Sequence, residues 1–313
     1  METIDLSLAD STKSNYARAL QKIKDKLGEI PIIVSYIDLL KVLDALEFST
    51  WSQVQTTRQA LIWWHQRNGI TEPPFHNKTV DRYLSGLEKK LCSIGKAPKQ
   101  SNASEAIHSS IIFDTAIRWI QSRNLVQLRN ALILLLQYVS LQRINAILSL
   151  KFNDLTDLGI GKGFRVHFRE IKWDRLGVGK IVLIPPFIDS CNISIDGLIR
   201  LFLNSGKPQN APNDFIFKPW DPKKRTWSSG EKHLSTCSWN CIIRQEFILT
   251  SASLSGVKVT SHSIRKTATS TLVENGASYE EVRPLLGHKA ASAIFLYHKQ
   301  TPNFQAALLK EKL

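Results

Sequence analysis

Apolar residues recur at helical spacing along most of this chain and alternate at strand spacing in one short stretch. Over 11–27 (STKSNYARALQKIKDKL), Tyr16, Leu20, Ile23 and Leu27 fall on one stripe behind the cap candidates Ser11 and Thr12. Lys13, Lys22, Lys24 and Lys26 take much of the remaining surface. The same period predicts helices over about 35–47 (Leu39, Leu40, Leu43, Leu46), from Thr50 to Arg67 (Trp51, Val54, Leu61 and Trp64 inward), and over about 77–93 (Val80, Leu84, Leu87, Leu91). Asn68-Gly69 stops the third of these. Residues 1–92 therefore read as a compact four-helix domain, and the polar, Gly- and Pro-containing stretch 93–104 (SIGKAPKQSNAS) as a linker.

A second domain is predicted over 105–313, starting with a helix at about 104–122 capped at Ser104. A long apolar helix follows from Leu125 to Ser140, then a shorter one from Gln142 to Leu150. The pattern then turns to strands, FRVHF and KIVLI, around EIKWDRLGVG, with Gly177 and Gly179 marking the turn. Helices resume at about 194–205 and 235–251 and again beyond Ser261, with a tail helix after Pro302. The fold class is mainly α with a small β-sheet. Between the later helices lies KPWDPKKRTWSSGEKH (218–233), a basic loop with tryptophans, suited to a DNA backbone.

Charge narrows the partner. The 313 residues carry 41 Lys and Arg against 27 Asp and Glu, a net charge of +14 that calls for a polyanion, nucleic acid first. The excess is spread through helices and loops, which indicates a folded cationic surface; in the first domain Arg58, Arg67, Lys78, Arg82, Lys89 and Lys90 are candidates for a DNA face. The four cysteines show no Cys-x-x-Cys spacing, and Cys237 and Cys241 share a helix face without a histidine pair to complete a metal site, so reduced thiols are expected. The first residues, METIDLSLADSTKS, lack the basic and apolar regions of a signal peptide, and no apolar run approaches a membrane span. A soluble, intracellular protein is expected. No P-loop or Gly-rich dinucleotide motif is present.

The chemistry gathers between Ser261 and His298. His262 and Arg265, three apart, face one side of a helix; Gly287-His288 follows, and Tyr297 stands nine residues after His288 in an apolar run. An arginine, two imidazoles and a phenol converging on one point suit a phosphodiester. The arginine holds the anionic oxygens, an imidazole moves protons and the phenol oxygen attacks. Arg143 adds a second cation in the apolar segment VSLQRINAILSLKFNDL, where it needs an anion. A structural salt bridge with Asp154 or Asp157 is the simpler way to supply one.

His-x-x-Arg, then Leu-Gly-His, then Tyr, in this order and spacing, resembles the C-terminal signature of the tyrosine recombinase (phage integrase) family. Asn275-Gly276-Ala277 and Tyr297-His298 resemble its usual surroundings, and Arg143-Ile144 leading to Leu150-Lys-Phe-Asn-Asp154 resembles its first arginine motif. The family usually has an acidic residue three beyond that arginine, where Ala146 stands here. Lys172 looks like the family's catalytic lysine, carried in a β-hairpin, with Arg175 and Lys180 as competing candidates. Similarity covers about 105–300 and is most specific in its last third.

The resemblance implies a SAM-like, four-helix DNA-binding domain followed by an α+β catalytic domain, closing on DNA as a clamp through the linker. It implies strand cleavage and rejoining through a 3′-phosphotyrosyl intermediate, with Tyr297 as nucleophile, Arg143, Arg265 and His288 on the scissile phosphate, and Lys172 and His262 moving protons. No cofactor and no metal are implied. The implied partners are double-stranded DNA and further copies of the chain, a tetramer on paired sites and a monomer when free, with no membrane and no small-molecule substrate. The tail NFQAALLKEKL, with Phe304, Ala307 and Leu308 on one side, would link protomers or fold back on its own domain. Alternatives are a type IB topoisomerase-like strand relaxation and a recombinase-derived DNA-binding protein without catalysis.

Overall fold

Residues 8–70, 77–94, 104–169, 178–188, 191–205, 211–229 and 232–287 are described by the computed structural model. The chain divides into two compact units, Met1–Ala103 and Ser104–Leu313.

Helices α1 (Asp10–Leu27), α2 (Tyr36–Ala45), α3 (Trp51–Arg67) and α4 (Lys78–Ser93) make the first unit. Three of them start on side-chain caps. Ser35 accepts from Asp38 N in a reciprocal box, Thr50 from Gln53 N, and Asn77 from Thr79 N. α1 starts differently, at Asp10 behind Ala9 with no side-chain cap, so Ser11 and Thr12 lie inside its first turn. It buries Ala19, Leu20 and Ile23, whereas Leu27, expected on the same stripe, is 38% exposed where Gly28 (φ 84°) ends the helix. α1 packs along α3, and α2 on α4. Two of the expected DNA-facing cations are engaged within the unit: Arg58 lies 3.7 Å from Asp81, and Arg67 lies over the Trp63 ring at 5.4 Å.

His65 on α3 is wholly buried. Its Nε2 accepts from Ile33 N at 2.7 Å, which leaves the proton on Nδ1 for the Leu61 carbonyl, also at 2.7 Å. Burial pushes its pKa below the ordinary 6.5. Between that lowered value and 6.5 the unfolded chain binds more protons than the folded one, so stability is full above 6.5 and declines as pH falls below it. The protection factor of the Ile33 amide, its exchange rate relative to that of an unfolded chain at the same pH, should therefore fall below that pH, and His65→Gln should flatten the dependence. A protection factor in the native chain that does not change with pH would contradict a neutral His65.

The second unit is built around α6 (Leu125–Ser140), buried along nearly its whole length, as an apolar helix without a polar face must be. α5 (Ser109–Gln121) packs against it. This helix starts at His108 and not at the expected Ser104, because residues 104–108 take a non-helical path. Along that path Ile107 N donates to Thr267 Oγ1 at 2.9 Å, and the Thr267 hydroxyl hydrogen is shared between the carbonyls of Ile107 and Ser263, each at 2.9 Å. The helix expected at 142–150 shortens to α7 (Ile144–Leu148).

The predicted strands are β2 (Phe164–Phe168) and β3 (Lys180–Ile184), paired antiparallel from Phe164 with Ile184 to Phe168 with Lys180. A third strand, β1 (Leu155–Asp157), joins the other edge of β2 and has no signal in so short a segment. Gly179 holds the start of β3 at φ 74°, and a Cβ there would meet His167 Nε2 at 2.5 Å and Phe168 O at 2.7 Å, so only glycine fits. Lys172 and Arg175, in the connection between β2 and β3, lie outside the described residues. A short pair, β4 (Phe187–Ile188) and β5 (Ile193–Ser194), leads into α8 (Ile195–Asn204). Within the basic loop two residues from each arm pair as a hairpin, β6 (Trp220–Asp221) and β7 (Thr226–Trp227). The unit continues with α9 (Thr236–Thr250), α10 (Ser261–Glu274) and α11 (Tyr279–Leu286). Among the described residues no helix is long and apolar enough to cross a membrane, and no three His, Cys, Asp or Glu side chains gather to hold a metal ion. Cys237 and Cys241 are both exposed on α9.

Candidate active site

The first turn of α10 is fixed from three sides. Thr260 caps it in a reciprocal box with Ser263, Ser261 N donates to Asn240 Oδ1 at 2.8 Å, and Gln137 Nε2 of α6 donates to Ser261 O at 3.0 Å. From Ser261 to Ser270 every residue but His262 is buried. The two members of His-x-x-Arg thus sit one turn apart in different surroundings: His262 opens to solvent, while Arg265 is 1% exposed.

Arg265 meets the far end of α11. Its Nη2 donates to Leu286 O at 2.5 Å. Two more donors converge on the same helix end: Lys180 Nζ on Pro284 O at 2.6 Å and Leu285 O at 3.0 Å, and Gln142 Nε2 on Leu285 O at 3.0 Å. The last carbonyls of a helix lack intrahelical partners and carry the negative end of its dipole, so cationic donors are the natural complement. Gly287 then ends α11 in the left-handed conformation, φ 64°. The end of α11, Leu286-Gly287, is therefore held at Arg265 by a clasp built from α10, β3 and the α6–α7 turn. Burial, and next the charge of Arg265, pull the Lys180 pKa below its ordinary value. Two neighbouring cations repel, and an anion placed between them relieves that repulsion.

Arg143 is the cap residue of α7, half-buried, directly after Gln142. Leu141, just before them, is forced to φ 54°, an uncommon conformation for a leucine that turns the chain sharply out of α6. Neither expected carboxylate reaches Arg143. Asp154 takes Arg169 Nε at 2.5 Å and Lys151 N at 2.9 Å, and Asp157 is bound by Arg200. Among the described residues Arg143 makes no ion pair. Ala146, where the family pattern has an acid, is buried and offers none. Among the described residues Arg143 is thus an uncompensated cation one residue from the clasp.

Three of the six candidates, Arg143, His262 and Arg265, are thus located, and the clasp brings the segments of Arg143 and Arg265 to the same helix end. Lys172, His288 and Tyr297 lie outside the described residues. Tyr279, the other tyrosine near the motif, is unsuited to attack: its hydroxyl is buried, and burial raises its pKa. Sequence reasoning missed Gln142 and Gln137. The available signal was a glutamine in each of two apolar segments, since a buried amide must find partners.

This architecture is the tyrosine-recombinase fold. Among solved structures that share it, the Tn1549 transposon integrase in complex with transposon right-end DNA aligns over 98% of this chain and 94% of that chain, with TM-score 0.58 and 13% identity. A lambda integrase dimer bound to a COC′ core site aligns over 93% and 72%, with TM-score 0.54 and 16% identity. XerH site-specific recombinase bound to palindromic difH substrate aligns over 88% and 72%, with TM-score 0.52 and 15% identity. At these identities the likeness is one of fold. No protein-family model matches the chain, and no curated protein sequence does.

Proposed function

We propose that this chain is a site-specific DNA recombinase that cuts and rejoins strands through a 3′-phosphotyrosine. The observation that supports the reading is a buried Arg265 of His-x-x-Arg donating to Leu286 O, directly before Gly287, in a fold shared with integrases solved on DNA. In the proposed reaction the Tyr297 oxygen attacks the scissile phosphorus and the bond to the 5′-oxygen breaks. The phenolic proton passes to solvent or His262, and Lys172 gives the leaving oxygen its proton, so a 5′-hydroxyl is released. Arg143, Arg265 and His288 hold the non-bridging oxygens as negative charge grows on them. Rejoining runs the same steps in reverse from a new 5′-hydroxyl, with the bond energy kept in the phosphotyrosine. Lys180, spent on two α11 carbonyls, is assigned to the clasp and Lys172 to proton transfer. On paired sites four copies would assemble, which sedimentation with one and with two duplex sites would test.

The test is a nicked duplex that traps the intermediate. A covalent protein–DNA adduct should form in the presence of excess EDTA, because arginines supply the charge a metal would otherwise bring. The same duplex with sulfur at the bridging 5′ position should restore cleavage to Lys172→Ala, since a thiolate leaves unprotonated. Absence of any adduct, or a requirement for magnesium, would overturn the reading. An equal defect of Lys172→Ala on both duplexes would move proton transfer to another residue.

A further inference from the structure

Two features of the second unit have no part in the reaction just described: a buried arginine and the hairpin it supports. Arg129 on α6 is 2% exposed, yet among the described residues no carboxylate balances it. Its Nε and Nη2 donate to Asn130 Oδ1 at 3.1 and 2.8 Å, its Nη1 donates to Lys218 O at 2.9 Å, and its guanidinium lies over the Trp227 ring at 5.4 Å. Burial lowers its pKa only to about 10, so it remains a cation at neutral pH.

The Lys218 carbonyl and the Trp227 ring are the two feet of the β6–β7 hairpin. Trp220 and Trp227 pair edge to face at 5.0 Å, Phe202 backs Trp227 at 6.0 Å, and Ser228 N closes on Pro219 O at 2.8 Å. The four-residue turn above them is Pro222-Lys223-Lys224-Arg225. Asp221 Oδ1 accepts from the backbone N–H groups of Lys223 and Lys224, at 2.9 and 3.2 Å, so the nearest carboxylate is occupied in shaping the turn. Arg225 is held at φ 50°. Lys223, Lys224 and Arg225 are all exposed, and among the described residues none pairs with an acid. Arg200, Lys218 and Arg283, in the same unit, each have a carboxylate within salt-bridge distance.

Three successive cations on a turn braced by tryptophans, with a fourth buried beneath it, concentrate positive potential that no acid among the described residues offsets. We infer that the 222–225 turn grips the phosphate backbone of bound duplex DNA, a contact additional to those of Arg143 and Arg265 and indifferent to base sequence. Rigidity matters here, because a pre-shaped turn loses less conformational freedom on binding than three loose lysines would. The inference rests on duplex DNA being the partner of the proposed function.

The test uses the full chain and a random-sequence duplex, with affinity measured across a range of salt. One variant carries Lys223→Gln, Lys224→Gln and Arg225→Gln. A charge-matched control carries Arg123→Gln, Lys162→Gln and Arg165→Gln, exposed cations of the same unit that also lack an acid partner among the described residues. The hairpin variant should bind about ten-fold more weakly, and its salt dependence should flatten by about two to three counterions, one per lost phosphate contact. The control should change by less than one counterion. An unchanged slope in the hairpin variant, or equal losses in both variants, would overturn the inference. Adduct formation by the unaltered chain on the nicked duplex is read in parallel. Adducts together with an unchanged slope reject the hairpin and leave the recombinase reading intact; a flattened slope without adducts does the reverse. A chain that binds no duplex at all rejects both.

Discussion

Tyr297→Phe is expected to abolish covalent adducts on the nicked duplex while leaving duplex affinity within about two-fold of the unaltered chain. The change replaces a hydroxyl by a hydrogen and leaves every charge of the chain in place, so the electrostatic attraction to DNA is kept. The nucleophile, however, has no substitute within the motif. Tyr279 is the nearest tyrosine in sequence, but its hydroxyl is buried and its proton is held more tightly than usual. Persistent adducts in the Phe variant, mapped by peptide sequencing to another residue, would refute the assignment.

Arg265→Lys is expected to lower single-turnover cleavage by about 10²- to 10³-fold, the range seen when one preorganised donor to a developing charge is lost. Under the proposed function Arg265 carries two tasks that a lysine cannot share. One arm of its guanidinium holds Leu286 O, and the proposed reaction asks the same fork of donors to hold a phosphate oxygen as well. A lysine has one point charge on a thinner stem; held on the carbonyl it leaves the phosphate, and held on the phosphate it frees the end of α11. The substitution should therefore also accelerate hydrogen exchange over the last turn of α11, next to Gly287. Cleavage within about ten-fold of the native rate would remove Arg265 from the centre of the reaction.

The helices were legible where period and cap agreed. Asn124 caps α6, Ser194 caps α8 and Ser235 caps α9, each next to a clear apolar period, and each observed start lies within a residue or two of the predicted one. Ser104 misled for the opposite reason. It is a good cap in isolation, but a partner 160 residues away at Thr267 holds Ile107 in an extended path. The β6–β7 hairpin escaped notice because its strands are two residues long and owe their pairing to Trp220 and Trp227, not to alternation.

The candidate site was legible as a list of side chains and illegible as an arrangement. Arg143 shows the difference. Its charge in an apolar segment was plain from sequence, and Asp154 and Asp157 were the reasonable partners. Those acids turn out to serve Arg169 and Arg200: the β1–β2 pairing sets Asp154 near Arg169 and α8 carries Arg200 to Asp157, and no local rule encodes either pairing. The clasp on α11 was hidden for the same reason: Lys180, Gln142 and Arg265 come from segments far apart in sequence and meet only through tertiary packing. Gly287 ends α11 in the left-handed conformation, which is a local matter that a glycine after an apolar helix can signal.

The bond pair between Ile107 and Thr267 gives the second unit a mechanical property. Thr267 stands two residues beyond Arg265 on the same buried helix, so the entering chain is moored to the element that carries the arginine. Moving residues 104–107 means breaking two hydrogen bonds in a buried setting, at about 1 kcal/mol each. A pull on the chain ahead of Ile107 is thus resisted first by α10, and a load borne there strains the helix of Arg265 before it strains any surface loop.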